Sequence, residues 1–397
     1  MPRRVAASLA CVALLIALVS VPPSSRAIAQ VGTDEVTADQ VRTAIDSLGS
    51  LEFPVRTAAA RTVRRASAAT AVPALTRAVS SHTDAYVRFR ALVILSGFND
   101  PRTREIVLKA IGDRNDRLRA VGYSWLEHNP DPSLVPRLLQ ALNREESEFV
   151  RPALTRAVAV YTADPKARDV MSGLVMKGQD IFRAAVIEAL GDYKSAYALK
   201  PITDVAKLDG PLQDDAVLAI GKLGDKGGIE TLAALQRTAP RTLQPSIAAA
   251  ICLLGSNCSS HQGFIAETLK FATSHSGFQP LLRNAAGGLA ALAVAGNKDS
   301  VQLLIERGVP ARDPERAAIA LALGMVALRN TPLLMSVLET QTDPDGPVEL
   351  LRESFDMLEE DFEEERFFAL VRRTYWQSPK DSPTRHVAES LIRRLEF

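Results

Sequence analysis

Apolar and polar positions repeat along the chain with a period of about 32 residues, and self-similarity at such a fixed period is typical of repeat architectures. An apolar residue followed by arginine, first seen at Val55-Arg56, recurs in phase, and glutamine replaces the arginine at Leu212-Gln213 and Leu243-Gln244. Two further arginines, Arg316 and Arg385, continue the phase without the apolar residue. We call the arginine or glutamine at each of these positions the marker. The markers are Arg56, Arg88, Arg119, Arg151, Arg183, Gln213, Gln244, Arg283, Arg316, Arg352 and Arg385.

Each marker is predicted to open a helix. The residues three and seven positions after the markers are apolar or small, with Glu359 as the single exception. Together with the residue before the marker they occupy one face of a helix, which is therefore predicted to be buried. Asp131-Pro132 and Asp164-Pro165 indicate that another helix begins in the same unit, before the marker helix, because proline is tolerated at the first helical position. The chain has no sustained alternation of period two, so we expect essentially no sheet.

These units are helical hairpins that can bury their faces only by stacking. Eleven of them fit between residues 34 and 397, which predicts an all-α fold, a right-handed α-solenoid of about eleven two-helix repeats. The marker spacing widens before Arg283 and again before Arg352, and we expect loop insertions around Ser256–Gln262 and Asp343–Pro347. We assign residues 30–342 to the solenoid and residues 343–397 to irregular C-terminal repeats or a cap.

The pattern apolar-Arg-x-x-Ala-x-x-x-Leu resembles HEAT repeats, in particular the short repeats of phycobilisome-lyase-like proteins. The resemblance is clearest over residues 51–255 and says little about activity. It implies that the marker arginines form a structural ladder between repeats, often with an acidic residue six positions earlier. The alternative is a row of arginines that binds a ligand. Asp113 stands in that position before Arg119, and Glu145 before Arg151. The ladder residues are Arg56, Arg88, Arg119, Arg151 and Arg183.

Residues 1–29 have the order of a secretory signal peptide. Arg3-Arg4 precedes an apolar run from Val5 to Val21, and Ala27-Ile28-Ala29 offers a cleavage site. We therefore expect an exported protein of bacterial type, secreted or periplasmic. The alternative is an uncleaved anchor, since an apolar run of about 17 residues lies at the lower limit for a bilayer span. Export also permits a disulfide between Cys252 and Cys258, with a buried, unbridged Cys252 as the alternative.

Composition and motifs argue against several function classes. A formal net charge of +1 and an aromatic content of 5% do not favour nucleic-acid binding. G-x-S-x-G, H-E-x-x-H and Walker A motifs are absent from the sequence. Deoxyhypusine hydroxylase has similar repeats and binds iron through His-Glu pairs, but none of the five histidines here is followed by glutamate. Bilin lyases share the repeat but act on cytoplasmic phycobiliproteins. Asp343-Pro344-Asp345-Gly346 lacks the third acidic position of a calcium loop. We expect no enzyme activity, cofactor or metal.

The resemblance implies that the second helix of each unit lines the concave surface. Positions one, five and eight after the marker point away from the predicted buried stripe. The candidate partner-binding residues among them are Arg61, Arg64, Phe89, Ser124, Glu127, Arg156, Glu188 and Asp214. We expect a non-enzymatic scaffold that binds a protein or peptide along this face, chiefly on units one to five. The alternatives are a helical array associated with a cofactor or an enzyme, lyase-like or hydroxylase-like, and a passive structural spacer.

An acidic run, Glu359-Glu360-Asp361-Phe362-Glu363-Glu364-Glu365, interrupts the last part of the chain. Acidic residues are favoured in the first turn of a helix, so we interpret the run as a solvated helix start. The alternative is a docking patch for a basic partner.

Overall fold

A computed structural model describes residues 36–358 and 360–397, so the predicted signal peptide lies outside the described residues. The described residues form 22 α-helices and two short 3-10 helices, without a strand. The first helices of successive hairpins are α1 (Ala38–Ser47), α3 (Ala68–Ser81), α5 (Thr103–Ala110), α7 (Val135–Leu142), α9 (Pro165–Leu174), α11 (Leu199–Ala206), α13 (Gly228–Thr238), α15 (Cys258–Ser274), α17 (Lys298–Gly308), α19 (Thr331–Leu338) and α21 (Asp361–Gln377). The second helices are α2 (Phe53–Arg65), α4 (Ala85–Ser96), α6 (Asp116–His128), α8 (Arg151–Ala159), α10 (Asp180–Asp192), α12 (Gln213–Leu223), α14 (Gln244–Leu253), α16 (Gln279–Val294), α18 (Glu315–Arg329), α20 (Asp345–Leu358) and α22 (Pro383–Arg394).

The helices form eleven successive two-helix units, which confirms the predicted all-α solenoid. Every marker lies in the second helix of its hairpin, from Arg56 in α2 to Arg385 in α22. Each second helix contacts the second helix of the next unit, so that they form one continuous row, which we call the inner row. This stacking buries faces that a single hairpin would leave exposed.

Local sequence signals set the helix starts. The Asp84 carboxylate accepts a hydrogen bond from the Tyr86 amide at the start of α4, at 2.7 Å. Asp164 caps α9 in the same way, with Pro165 as its first residue. Asp131 caps a 3-10 helix that begins at Pro132 and leads into α7. Both Asp-Pro pairs therefore start the first helix of a unit, as predicted, because they satisfy orphan amides and need no proline N–H.

The ladder arginines join adjacent units. Arg88 donates to the Val79 carbonyl at 2.9 Å and pairs with Asp113 of the following unit. Arg119 donates to the Asp113 carbonyl at 3.0 Å and binds both oxygens of Glu145, at 2.8 and 2.9 Å. The acid six residues before a marker thus pairs with the arginine of the preceding unit. Glu145 therefore binds Arg119, and it is not a partner of Arg151.

The remaining ladder positions keep part of this arrangement. Arg56 and Arg183 donate to carbonyl groups at the end of the preceding helix or loop. Gln213 and Gln244 make the equivalent carbonyl bonds without a charge. Arg151 lies over the Phe182 ring, 3.7 Å from its centroid. Most markers thus share the hydrogen bond to a carbonyl group of their own unit, whereas the contact with the next unit differs from marker to marker.

The wider marker spacings have different structural origins. Residues 258–262 belong to α15, a helix of 17 residues that precedes a 16-residue α16. The prediction of a loop insertion there is wrong, because longer helices absorb the extra residues. The second extension does lie near the expected place, in the connection of residues 339–344 between α19 and α20.

Residues 36–397 form one compact unit, and α20 contacts α17 and α18 across the expected boundary at residue 342. Two hydrophobic clusters run along it, one built mainly from residues 41–254 and one from residues 248–397. Phe362 of α21 packs in the first cluster, far from its neighbours in sequence. Helix α21 contacts α4, α6 and α18, so it bridges the beginning and the end of the inner row.

Among the described residues, no single helix combines the length and apolar character of a membrane span. Helices α18 and α19 reach that composition only as a pair, and they meet at an angle of 115°.

Candidate partner-binding surface

The acidic start of α21 is held against the inner row by ion pairs. Glu365 pairs with Arg64 at 2.7 Å, and the two side chains are 0% and 6% exposed. Asp361 pairs with Arg90. The prediction of a solvated helix start is therefore wrong: the run does begin a helix, but most of its carboxylates face arginines or histidine of the same chain. Burying these carboxylates is tolerated because each has a partner of opposite charge.

The pKa values of Glu363 and Glu364, two neighbouring carboxyl groups of α21, are shifted in opposite directions. Burial disfavours ionisation of Glu363, but the hydrogen bond and charge of His128, with Arg366 and Arg329, outweigh it and lower the pKa to about 2. Burial, with the negative charge of Asp361, raises the pKa of Glu364 to about 8. At neutral pH one group is charged and its neighbour in sequence is largely protonated.

The predicted partner-binding residues of units one to three are mostly engaged within the chain. Arg61 is partly exposed and lies 3.4 Å from Glu396. Arg64 pairs with Glu365, and Ser124 lines a cavity under α21. Phe89 is only 2% exposed, so the expectation that it points to solvent is wrong. It is buried because α21 packs on α4.

Two of the remaining candidates, Glu127 and Arg156, belong to a buried polar network. Glu127 is also buried, contrary to expectation, and accepts hydrogen bonds from Arg156 at 2.9 Å and the Tyr193 hydroxyl at 2.6 Å. Arg156 also pairs with Asp192 at 3.0 Å. Glu188 lines two cavities of the inner row. Burial raises the pKa of the Asp214 carboxyl above its usual range. The role of these candidate residues in partner binding stays a prediction.

His128 meets two carboxylates, one of which is distant in sequence. Its Nε2 lies 2.7 Å from Glu363, 235 residues away, and Glu127 completes a group whose donor atoms lie within 4.8 Å of one another. Histidine and carboxylate groups of this kind can ligate a metal. Here Arg156 and Tyr193 already donate hydrogen bonds to Glu127, and Arg366 pairs with Glu363. Groups of the protein itself therefore neutralise these two carboxylates.

Cys252 and Cys258 are joined by a disulfide in the structure, with their Cα atoms 4.2 Å apart. The bridge ties the end of α14 to the first residue of α15.

Large apolar or arginine side chains, most of them exposed, recur at the N-terminal ends of the first five inner helices. The position two before the marker carries Tyr86, Arg117, Phe149 and Ile181 in units two to five, and Phe53 lies three before the marker of unit one. Phe53, Phe149 and Ile181 are 64%, 59% and 73% exposed. We call these five residues the rim stripe. The rim stripe was not among the sequence predictions, because these considered only the positions assigned to the core and to the concave face. The position two before the marker would have located it.

The Arg117 guanidinium is held among aromatic rings at the rim stripe. Its central carbon lies 5.7 Å from the ring centroid of Tyr86, 5.4 Å from that of Phe89 and 5.9 Å from that of Phe149. Within residues 36–358 and 360–397, no carboxylate pairs with it. Arg117 therefore presents an organised positive charge on an apolar surface.

A cavity of about 500 Å³ separates the rim stripe from the C-terminal helices. Phe53, Tyr86, Arg117 and Phe149 line it on one side. The opposite side is formed by Phe355, Asp356, Glu364, Phe368 and Phe397. We call it the seam cavity, since it lies where the two ends of the solenoid meet.

Comparison with known proteins is consistent with this repeat architecture. Residues 41–127 match the family model for HEAT repeats. The sequence matches no curated protein. Among solved structures, the chain is similar to YibA of Escherichia coli, with 19% identity, a TM-score of 0.41, and coverage of 55% of this chain and 82% of that one. It is also similar to importin beta, with 14% identity and a TM-score of 0.36, over 89% of this chain and 52% of that one. The chain thus spans about half the length of importin beta. The chain is thus an α-solenoid, of which residues 41–127 match HEAT repeats.

Proposed function

We propose that this protein is an exported, non-enzymatic scaffold that binds a protein or peptide partner through the rim stripe and the adjoining seam cavity. The observation that carries the proposal is the recurrence of aromatic, aliphatic and arginine side chains, most of them exposed, two residues before the marker in units two to five. A single exposed apolar residue on a protein surface needs no explanation, but a contiguous row of them marks an interaction site.

The residue types of the stripe suit partner binding. Tyrosine and arginine are enriched among the side chains that dominate interface energetics. Arg117 is already stacked among three rings, so little side-chain entropy is lost when a partner orders it. The repeat spacing places equivalent side chains on adjacent inner helices, about 8–10 Å apart, which suits an extended ligand that crosses several units.

The inner face of units one to three is a less suitable surface. A partner that paired with Arg64 would have to displace its carboxylate partner Glu365, whose side chain is 0% exposed. Separating a buried ion pair typically costs several kcal/mol. We therefore place the partner on the rim and not on the concave surface that the sequence favoured.

Export rests on the order of residues 1–29, with a basic start, an apolar run and a small-residue cleavage site. The disulfide between Cys252 and Cys258 fits an oxidising compartment.

The test is a crosslinking capture from bacterial envelope extract with residues 30–397 as bait. A Phe149→Ala/Ile181→Ala variant removes two stripe side chains, and Leu208→Ala/Phe264→Ala removes exposed apolar side chains of other units as the matched control. Circular dichroism must first show equal helix content. We expect the wild type and the control to capture the same protein and the stripe variant to lose it. Equal capture by all three, or no specific capture by the wild type, would overturn the proposal.

A further inference from the structure

We propose that the seam cavity receives an acidic segment of the partner, with a carboxylate bound by Arg117 and Arg56 and a neighbouring apolar side chain packed on Phe53 and Phe149. This inference rests on the proposed function and names the chemistry of its ligand.

Arginines line the seam cavity, and carboxylates neutralise only some of them. Five arginines line it, Arg56, Arg64, Arg90, Arg117 and Arg352. Three of them have carboxylate partners, since Arg64 pairs with Glu365, Arg90 with Asp361, and Arg352 with Glu349 and Asp356. Arg56 bonds only to the carbonyl groups of Ser50 and Leu51, and Arg117 is stacked on rings. Within the described part of the chain, these two arginines have no carboxylate partner.

The acidic residues of the cavity do not cancel this charge. Four carboxyl groups line it, Asp356, Asp361, Glu364 and Glu396. Burial and the charge of Asp361 raise the pKa of Glu364 to about 8, so this carboxyl is largely neutral at pH 7. Asp356, Asp361 and Glu396 already pair with Arg352, Arg90 and Arg61, so they do not neutralise the positive charges of Arg56 and Arg117. The Oε1 atom of Glu364 is buried without a hydrogen-bond partner among the described residues.

The walls between the charges are aromatic. Phe53, Phe355, Phe368 and Phe397 line the cavity, and its volume of about 500 Å³ lies in the range of about 300–1,000 Å³ that ligand sites occupy. The cavity opens onto the rim stripe, which continues through Phe149 to Ile181 in the next unit. A ligand that fills the cavity and continues along this row is a chain, so a peptide fits better than a small acid.

Helix α21 shows the same recognition within the molecule. Its sequence Asp361-Phe362-Glu363-Glu364-Glu365-Arg366-Phe367-Phe368 places acidic residues beside aromatic ones. Glu365 binds Arg64, and the Arg64 guanidinium lies 5.1 Å from the centroid of Phe368. The arginines of the inner row thus already bind carboxylates that stand beside aromatic rings, and Arg56 and Arg117 continue that surface to solvent.

The experiment measures fluorescence anisotropy of residues 30–397 with fluorescein-labelled, C-terminally amidated hexapeptide pools. Four randomised positions precede a fixed Phe-Glu, Phe-Gln, Phe-Lys or Ser-Glu pair. We expect the Phe-Glu pool to bind about tenfold more tightly than the Phe-Lys and Ser-Glu pools, the factor that one charged hydrogen-bonded contact gives. Arg117→Gln should reduce Phe-Glu binding to the level of the Phe-Gln pool. Arg114→Gln, which removes an arginine of the same unit outside the cavity, should leave binding unchanged.

Equal binding of all four pools, or no binding of the Phe-Glu pool at millimolar concentration, would overturn the inference. If the stripe variant still loses its captured protein in that case, the scaffold proposal stands and only the acidic ligand is wrong. If the stripe variant also captures normally, both fail.

Discussion

Glu365 of α21 and Arg64 of α2 form a buried ion pair between positions 301 residues apart. Arg372 also donates to Glu365, at 3.1 Å. The pair fixes the penultimate helix of the chain to the first hairpin. An open solenoid has contacts only between neighbouring repeats, so its stability is a sum of local terms. Here the two ends are coupled directly.

Replacing Glu365 by alanine should therefore destabilise the fold strongly. Arg64 and Arg372 would stay buried without their carboxylate, and the loss of one member of a buried pair costs about 3–5 kcal/mol. The measurement is urea unfolding followed by circular dichroism. Glu396→Ala is the matched control, because it removes the exposed partner of Arg61 and should change the free energy of unfolding by less than about 1 kcal/mol. Equal effects of the two substitutions would show that the ends are not joined through Glu365.

The protonation of Glu364 should make stability depend on pH. Its pKa is raised from 4.5 to about 8, so the folded state binds a proton that the unfolded chain releases between these values. The contribution is fully present below about pH 4.5 and is lost as pH rises through about 8. We expect the free energy of unfolding of the wild type, relative to Glu364→Gln, to fall by up to about 1.4 kcal/mol per pH unit within this window.

Urea unfolding of both proteins at pH 5, 6, 7 and 8 checks this prediction. Asp361, Arg90 and Glu360 face the same carboxyl and are present in both proteins, so the difference isolates residue 364. A difference that is constant across these pH values would contradict the assigned pKa.

The part of the fold that could be predicted from sequence is the local part. The marker register, the Asp-Pro starts and the carbonyl contacts of Arg88 or Gln213 depend on residues within one unit or its neighbour. The repeat period encodes them directly. The prediction of a loop near Gln262 is wrong because it assumes helices of constant length. The spacing between markers does not distinguish a longer helix from a longer loop.

The closure of the solenoid could not be predicted in this way. The pairs His128–Glu363 and Arg64–Glu365 depend on the summed rotation of many repeats, which no single unit specifies. The acidic run therefore resembled a solvated helix start, and Phe89 and Glu127 resembled exposed concave residues. The rim stripe, in contrast, was within reach of the sequence, since Phe149 and Ile181 both lie two residues before a marker.

A close approach of two inner helices should make one glycine irreplaceable. A Cβ atom on Gly221 of α12 would lie 2.5 Å from the Cα of Ala250 in α14, so Gly221→Ala must push the helix backbones apart. Overpacking of this kind costs about 1–3 kcal/mol. A Cβ atom on Gly287 of α16 would meet no neighbouring atom within 4 Å, and Gly287→Ala should be neutral or stabilising by up to about 1 kcal/mol. Thermal unfolding of the two variants tests this contrast, and equal melting temperatures would contradict it.

The disulfide should stabilise the oxidised chain modestly. Cys252 and Cys258 close a loop with a sequence separation of 6, for which the loss of unfolded-state entropy gives about 2 kcal/mol. Urea unfolding of the wild type with and without a reducing agent should differ by that amount. The Cys252→Ser/Cys258→Ser variant should show no effect of the reducing agent. A wild type that is equally stable in both conditions would mean that the bridge adds nothing to stability.

The most direct test of the proposed binding surface is site-specific photocrosslinking in envelope extract, with benzoylphenylalanine placed at Phe149 or at Ser124. Phe149 is 59% exposed on the rim stripe, whereas Ser124 lines the cavity beneath α21. We expect the probe at position 149 to crosslink another protein and the probe at position 124 to crosslink α21 of its own chain. An intermolecular product from position 124 and none from position 149 would contradict this arrangement, since it would show that the partner displaces α21 and binds the concave face.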